Sequence, residues 1–206
     1  METQRDYHAL LQGMLSEKRY RHSLAVSARA AELALLHGTD REKAALAGLL
    51  HDICKELPGE KQLEIIEKHG IVLEERLFCQ KAFLYPNVLH QISAPCFVAA
   101  ELGIQDPEIL SPIRWHATGR PAMTREEMVL YAADLTSEDR DYSDVADYRA
   151  LANRDLEEMM FQSLRFVVGD LARRKEGVCP DTLFAYNYYW AKKKFGEGLR
   201  RESFSW

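Results

Sequence analysis

The pair His51-Asp52 follows directly after seven apolar or glycine residues, 44–50. A helix with such a sequence is buried nearly all round. A carboxylate and an imidazole at its end would be costly to bury without partners. A salt bridge could satisfy Asp52 alone, whereas a metal ion would satisfy both side chains at once. The pair is therefore a candidate for metal binding.

Four further polar side chains are candidates to join this pair. His22 shares a helical face with apolar residues three, four, eight and eleven positions further on, so it should point inward. Asp134 shares a face with apolar residues, and His90 and His116 each follow one. One buried polar residue is usually a satisfied core group. Four histidines and two aspartates on five segments instead indicate a metal centre.

The overall composition narrows the function classes. The 206 residues are 47% hydrophobic, which is enough for a real core, and the net charge of −5 argues against broad nucleic-acid binding. No apolar run approaches the roughly 18 residues of a membrane span. The N-terminus lacks a secretory signal pattern, so we expect a cytoplasmic protein. The four cysteines show no metal-ligand spacing and are expected to be small buried side chains.

Helical periodicity dominates the chain, which predicts an all-α fold of seven to ten helices without a sheet. One helix should begin at residue 16 or 17 and end near His37, before Gly38. Thr39 and Glu42 have the spacing of a capping box for the next helix. That helix should carry the His51-Asp52 pair and continue to Pro58.

The later helices are also bounded by recognisable signals. A polar helix should cover 60–68 and stop at Gly70, and another should begin near Ser93. Asp106-Pro107 should open a helix that Pro112 kinks or splits. Thr124 and Glu127 predict a second capping box, for the helix with Asp134. Amphipathic packing helices are expected over 145–175 and 181–194.

The candidate ligands have the order of a known signature. His22, His51-Asp52 and Asp134 resemble the H…HD…D pattern of the HD superfamily of metal-dependent phosphohydrolases, and His90 and His116 resemble the extra ligands of members with two metals. More narrowly, four stretches resemble the YqeK family, whose HD-domain enzymes cleave diadenosine tetraphosphate symmetrically. These are RYRHSLAV (19–26), AALAGLLHDICKELP (44–58), IRWHATGRPAMT (113–124) and VLYAADLTSEDRDYSDV (129–145).

The resemblance implies an HD-domain helical bundle with a dinuclear metal site. It suggests a single HD domain over 1–206, with a core of about 15–170 and C-terminal packing helices in 171–206. Two divalent transition-metal ions are expected, with iron favoured by the resemblance and manganese, nickel or zinc compatible with the ligand types. Asp52 would bridge the two ions. The first would also bind His22, His51 and Asp134, and the second would bind His90 and His116.

Position and chemistry make several other side chains candidates for roles at this site. Lys55 would act beside Asp52 in catalysis, by stabilising charge on the transferring phosphoryl group or the leaving group. Arg120 lies in a turn after Gly119, where its guanidinium could bind phosphate. The further candidates for substrate contact are Thr118, Arg19 and Arg140.

The expected substrate is a small nucleotide, diadenosine tetraphosphate, with two ADP as products. Another nucleotide phosphohydrolase remains an alternative. Cyclic-dinucleotide phosphodiesterases carry Gly-Tyr-Pro where this chain has Leu84-Tyr85-Pro86, which argues against that group. A non-catalytic nucleotide-binding module is the second alternative, and the complete ligand set argues against it. The aromatic segment near the C-terminus could form a homodimer face.

Overall fold

The structure, a computed structural model, describes residues 7–69 and 86–196, and within these ranges all regular structure is helical. No strand occurs among the residues described, so the predicted all-α class is confirmed. A short 3₁₀ turn covers Pro86–Val88. The helices are α1 (Tyr7–Met14), α2 (Glu17–His37), α3 (Arg41–Leu50), α4 (Gly59–Lys68), α5 (His90–Glu101), α6 (Pro107–Trp115), α7 (Arg125–Thr136), α8 (Val145–Arg154), α9 (Leu156–Arg173) and α10 (Pro180–Phe195).

Helix α2 has the predicted ends. The Ser16 side chain caps it by accepting a hydrogen bond from the backbone N–H of Arg19, and Gly38 ends it in the left-handed conformation with φ of 69°. Its buried face includes His22, Val26 and other residues at helical spacing. Local chemistry therefore fixes the length of α2, and its apolar face determines that His22 points inward.

Helix α3 differs from the prediction at both ends. Its N-cap is Asp40, whose carboxylate accepts from the backbone N–H groups of Glu42 and Lys43, so the Thr39–Glu42 capping box is wrong. The helix also ends at Leu50 and does not continue through the histidine-aspartate pair. Lys55 therefore lies beyond the end of this helix.

The chain after α3 continues in tight turns. Backbone bonds three residues apart join Ile53 to Leu50, Lys55 to Asp52 and Leu57 to Cys54. Such bonds wind the chain more tightly than an α-helix does. The apolar run before the pair does not predict this change from α-helix to tighter turns, because hydrophobicity alone does not distinguish the two conformations.

Gly48 allows α2 and α3 to pack at very short distance. A Cβ atom at this position would lie 2.9 Å from the Ser27 Cα and 3.0 Å from the Val26 carbonyl oxygen. These are backbone atoms, which cannot move away as a flexible side chain can. The close approach brings His22 on α2 near the residues that follow α3.

Two other helix predictions need correction. Helix α5 begins at His90, earlier than the expected Ser93, with Leu89 at its cap position. Helix α6 continues through Pro112 and is not split by it, and both the proline and its neighbour Ile113 are buried. A kink at this proline stays a prediction. The Asp106 cap of α6 and the capping box of Thr124 at the start of α7 are confirmed.

The helices around the histidines pack mainly on each other. Helix α2 packs against α3 and α7, and α6 lies against α3, α5 and α7. Among the later helices, α9 packs against α7, α8 and α10. No described helix combines the length and the apolar character that crossing a membrane needs. Predictions at Gly70, Leu84, Tyr85 and residues 197–206 lie outside the described residues.

Candidate metal centre

The six predicted ligands meet in one place, although they come from five segments. His22 lies on α2, His90 begins α5 and Asp134 lies on α7, whereas the other three occupy helix ends. The four histidines and Asp52 are buried, and Asp134 keeps 19% of its side chain exposed. The cluster consists of His22, His51, Asp52, His90, His116 and Asp134.

Asp52 lies at the centre of the cluster and has histidines on both of its oxygens. Its Oδ2 is 3.3 Å from His51 Nε2 and 4.0 Å from His22 Nε2. Its Oδ1 is 3.2 Å from His90 Nε2 and 3.7 Å from His116 Nε2. Beyond this carboxylate, Asp134 Oδ1 lies 3.0 Å from His22 Nε2. One carboxylate thus presents a separate oxygen to each of two groups of imidazole nitrogens.

Hydrogen bonds at the outer nitrogens orient three of these histidines. His51 Nδ1 donates to the Gly48 carbonyl and His116 Nδ1 to the Ile113 carbonyl, each at 2.7 Å. His22 Nδ1 donates to Asp139 Oδ2 at 2.8 Å. Carbonyl and carboxylate oxygens can only accept, so Nδ1 carries the proton in each ring. The Nε2 lone pairs therefore face the cluster, as metal ligation requires.

The donor set fits divalent metal ions. His51 Nε2 is fully buried and has no hydrogen-bond partner among the described residues. Ligand atoms lie within 4.8 Å of one another in each of two triads, His22-His51-Asp134 and His51-Asp52-His116. Two ligands about 2.1 Å from one ion are at most about 4.2 Å apart. The contacts of 3.2 to 4.0 Å between Asp52 and the histidines meet this limit, as does the contact of 3.0 Å between His22 and Asp134.

The local electrostatics keep both carboxylates ionised. Burial alone would raise the pKa of Asp52, but the imidazoles that surround the carboxylate, His51 foremost, hold that pKa well below its ordinary value. For Asp134, burial is likewise outweighed by His22, His51 and Arg140, which lower its pKa. Burial also lowers the pKa of His90 to about 4. Ionised carboxylates and a neutral imidazole are the protonation states that bind metal.

Three of the predicted basic residues lie against the cluster. Arg19 Nη1 donates to Asp52 Oδ2 at 2.9 Å, and Arg140 Nη2 donates to Asp134 Oδ1 at 2.5 Å. Lys55 Nζ donates to the Asn87 carbonyl at 3.0 Å and lies 3.2 Å from Nδ1 and 3.3 Å from Nε2 of His90. These cations are placed where phosphate oxygens could be bound beside the metal ligands.

The other two predicted substrate contacts are engaged elsewhere. Arg120 donates from Nε and Nη2 to Glu127 Oε1 at 3.1 and 3.0 Å. Thr118 is 1% exposed and exchanges hydrogen bonds with the side chain of Gln91. These contacts stabilise the turn after His116. A role in substrate binding for Arg120 and Thr118 stays a prediction.

Asp139 is a functional candidate that the sequence did not reveal. Its Oδ2 accepts from His22, and its Oδ1 accepts from the Ser137 hydroxyl at 2.6 Å. The residue lies in the polar segment 136–144, which has no apolar periodicity. Its relation to His22 depends on tertiary packing, because 117 positions separate the two. The available signal is a general one: a metal-binding histidine usually donates its other ring N–H to a carboxylate or a carbonyl, so a nearby acidic residue is to be expected.

Comparison with known proteins supports the interpretation of this cluster. The family model described as "HD domain" matches residues 19–139, which include all six ligands. The chain is 34% identical over 180 residues to "Bis(5'-nucleosyl)-tetraphosphatase, symmetrical" of Bacillus subtilis, covering 87% of this chain and 94% of that protein. The protein of the same name from Staphylococcus aureus is 31% identical, with 85% and 88% covered.

A solved structure has a similar fold. It is described as the crystal structure of a predicted HD superfamily hydrolase involved in NAD metabolism, from Clostridium acetobutylicum. The TM-score is 0.86 at 32% sequence identity, and the match covers 93% of this chain and 99% of the other. The resemblance inferred from the sequence motifs therefore extends to the arrangement of the helices.

Proposed function

Because the chain belongs to the HD domain family, and within it to the YqeK family, we propose that it is a metal-dependent hydrolase cleaving diadenosine tetraphosphate symmetrically to two ADP. The observation that carries this proposal is the position of Asp52, with two histidines at each of its oxygens. This geometry suits two ions that share one carboxylate. We propose that the first ion binds His22, His51 and Asp134, and that the second binds His90 and His116.

The charge of the cluster suits a polyphosphate substrate. Divalent ions held here would act as Lewis acids on phosphate oxygens and would lower the pKa of an attacking water. Among the six ligands only Asp52 and Asp134 are acidic, so two divalent cations are not fully neutralised by the protein. The local potential is then positive, although the chain carries a net charge of −5.

The basic residues around the cluster would position the phosphates. Arg19 and Arg140 are held by Asp52 and Asp134, so their guanidinium groups lie next to the ligands and can donate to phosphate oxygens. Lys55 lies on the opposite side, near His90. We assign it the stabilisation of negative charge on the departing ADP. Arg120 and Thr118 would contact the substrate only after release from their present partners.

We also propose the metal, the partners, the location and the domain organisation of the protein. Iron as the resident metal rests on the family resemblance, and imidazole with carboxylate ligands is compatible with it. The net charge of −5 argues against nucleic acid as a partner and is compatible with a small nucleotide bound at metal ions. The match over 87% of this chain and 94% of the Bacillus subtilis protein supports a single domain over 1–206, and we also propose a cytoplasmic location. The aromatic helix α10, with Trp190 and Phe195 exposed, would form the homodimer face.

The position of cleavage in the phosphate chain is tested by identifying the products of a partial digestion of diadenosine tetraphosphate by metal-loaded protein. A fixed pair of ions holds one phosphoryl group for in-line attack, so we expect two ADP with little AMP or ATP. In ¹⁸O-labelled water, one of the two ADP molecules should carry a single label. Equal amounts of AMP and ATP would contradict symmetric cleavage while leaving hydrolysis at this site intact.

A further inference from the structure

A cavity of about 350 Å³ lies beside the metal centre, between the end of α7, helices α8 and α9, and the segment 137–144 that joins α7 to α8. Its walls are mainly apolar and aromatic, and they include Tyr142, Tyr148 and Phe166. Arg140 lines it as well. We propose that this cavity binds one nucleoside of the substrate, an inference that rests on the proposed function.

Arg140 connects the cavity to the cluster. Its guanidinium donates to Asp134 Oδ1 and to the Asp134 carbonyl, and it lies 3.4 Å from His22 Nε2. The same side chain forms part of the cavity wall. A group bound in the cavity is therefore separated from the metal ligands by one phosphate-binding side chain. A nucleotide has this layout, with its base at one end and its phosphates at the other.

The aromatic side chains suit the base. The rings of Tyr142 and Tyr148 lie 6.1 Å apart at an interplanar angle of 65°. Phe166 is 53% exposed although it is a large apolar side chain on α9. Apolar pockets with a few polar groups are typical ligand sites. Any nucleobase can stack on an aromatic ring, because every base has a π-face. Burial of the Phe166 ring by a base would remove its exposure to water.

Asp144 supplies polar contacts at the same cavity. It occupies the N-cap position of α8, but its side chain makes no capping hydrogen bond to that helix. The carboxylate can therefore accept hydrogen bonds from ribose hydroxyls or from the exocyclic amine of a base. A nucleotide bound by its base in the cavity and by its phosphates at Arg140 would present one particular phosphate to the ions. This is a physical reason why the phosphate chain would be cleaved at a single position.

The test compares a ligand that has a base with one that lacks it. Binding of ADP and of pyrophosphate to the metal-loaded protein is measured by titration calorimetry. Phe166→Ala should weaken ADP binding about tenfold, in line with the loss of one base–aromatic stack, and should leave pyrophosphate binding unchanged. Phe166→Tyr, which keeps the aromatic face, should restore ADP affinity. Phe184→Ala on α10 removes a similarly exposed phenylalanine and should bind both ligands as the wild type does.

The outcomes separate this proposal from the proposed function. Equal ADP affinity in the wild type and Phe166→Ala, or an equal loss for ADP and pyrophosphate, would overturn the nucleoside site. A wild type that turned over no diadenosine tetraphosphate, yet bound ADP through Phe166, would overturn the function and leave the nucleoside site standing.

Discussion

The two sides of Asp52 differ in how their histidines are held. On the Oδ2 side, His22 and His51 both donate from Nδ1 to fixed acceptors, a carboxylate and a backbone carbonyl. On the Oδ1 side, His116 has such an acceptor, but both ring nitrogens of His90 lie close to the ammonium of Lys55, at 3.2 and 3.3 Å. An ammonium group only donates hydrogen bonds. The Oδ2 side is therefore organised for metal binding by the fold alone, and the Oδ1 side is so only in part.

The difference has its origin in the secondary structure. The Oδ2 side is built on the close pair α2 and α3, where Gly48 provides both the short approach and the carbonyl that orients His51. His90, in contrast, begins α5 directly after a 3₁₀ turn, which Lys55 contacts at the Asn87 carbonyl. A side chain at the first position of a helix has fewer neighbours in its own element to fix it.

The largest effect should come from removing the residue common to both sides. Asp52→Asn removes the single negative charge that both ions would share, so we expect loss of both ions and a fall in kcat of more than about 10³-fold. Elemental analysis and a steady-state assay measure the two effects. His69→Ala, at the end of α4, is the control and should behave like the wild type. Full metal content and turnover in Asp52→Asn would show that the site is wrongly assigned.

The unequal sides should also release their ions unequally. Acceptors behind metal-binding histidines typically contribute a factor of about 10–100 in metal affinity. Titration of the loaded protein with a chelator should therefore remove the ions in two steps whose affinities differ by about that factor, with the ion at His90 and His116 leaving first. Loss of both ions in one step would contradict the difference between the sides.

Removing the acceptor behind His22 should reduce this difference. Asp139→Asn keeps the shape of the side chain but loses the charge that orients His22, so the more tightly held ion should bind about 10–100-fold more weakly. The readout is again the chelator titration, in which the two steps should merge. Asp141→Asn changes an exposed aspartate of the same segment and serves as the matched control. Unchanged affinity in Asp139→Asn would mean that its contact with His22 has no energetic role.

A smaller effect is expected at the contact between α2 and α3. Gly48→Ala introduces a methyl group against backbone atoms of Ser27, which should lower the free energy of unfolding of the metal-free protein by about 1–3 kcal/mol. Gly169→Ala on α9 is the matched control, because nothing lies within 4 Å of its Cβ position. That control should be neutral or stabilising by up to about 1 kcal/mol. Denaturant unfolding measures both, and equal stability of the two variants would contradict the role of Gly48.

Local sequence signals predicted the parts of the fold that depend on local chemistry. The caps at Ser16, Asp106 and Thr124 are satisfied by backbone groups two or three residues away, so a short window contains all the information. The inward faces of α2 and α7 placed His22 and Asp134 correctly for the same reason, since helical periodicity determines which residues are buried.

Features that depend on tertiary contacts were not predictable in this way. The end of α3 at Leu50 is followed by tight turns that the apolar run does not signal. Asp139 and the cavity around Phe166 require segments distant in sequence to meet. The six candidate ligands were predicted from their residue types and their order, but the distances that divide them between the oxygens of Asp52 emerge only from the packing of five helices.

The number of metal ions per chain tests the central claim, a bridging Asp52 with an ion at each oxygen, most directly. Elemental analysis of anaerobically purified protein should give two transition-metal ions per chain in the wild type. His116→Ala, which removes a proposed ligand of the ion on the Oδ1 side only, should retain one ion. A reproducible value of one ion in the wild type, unchanged in His116→Ala, would contradict the dinuclear centre.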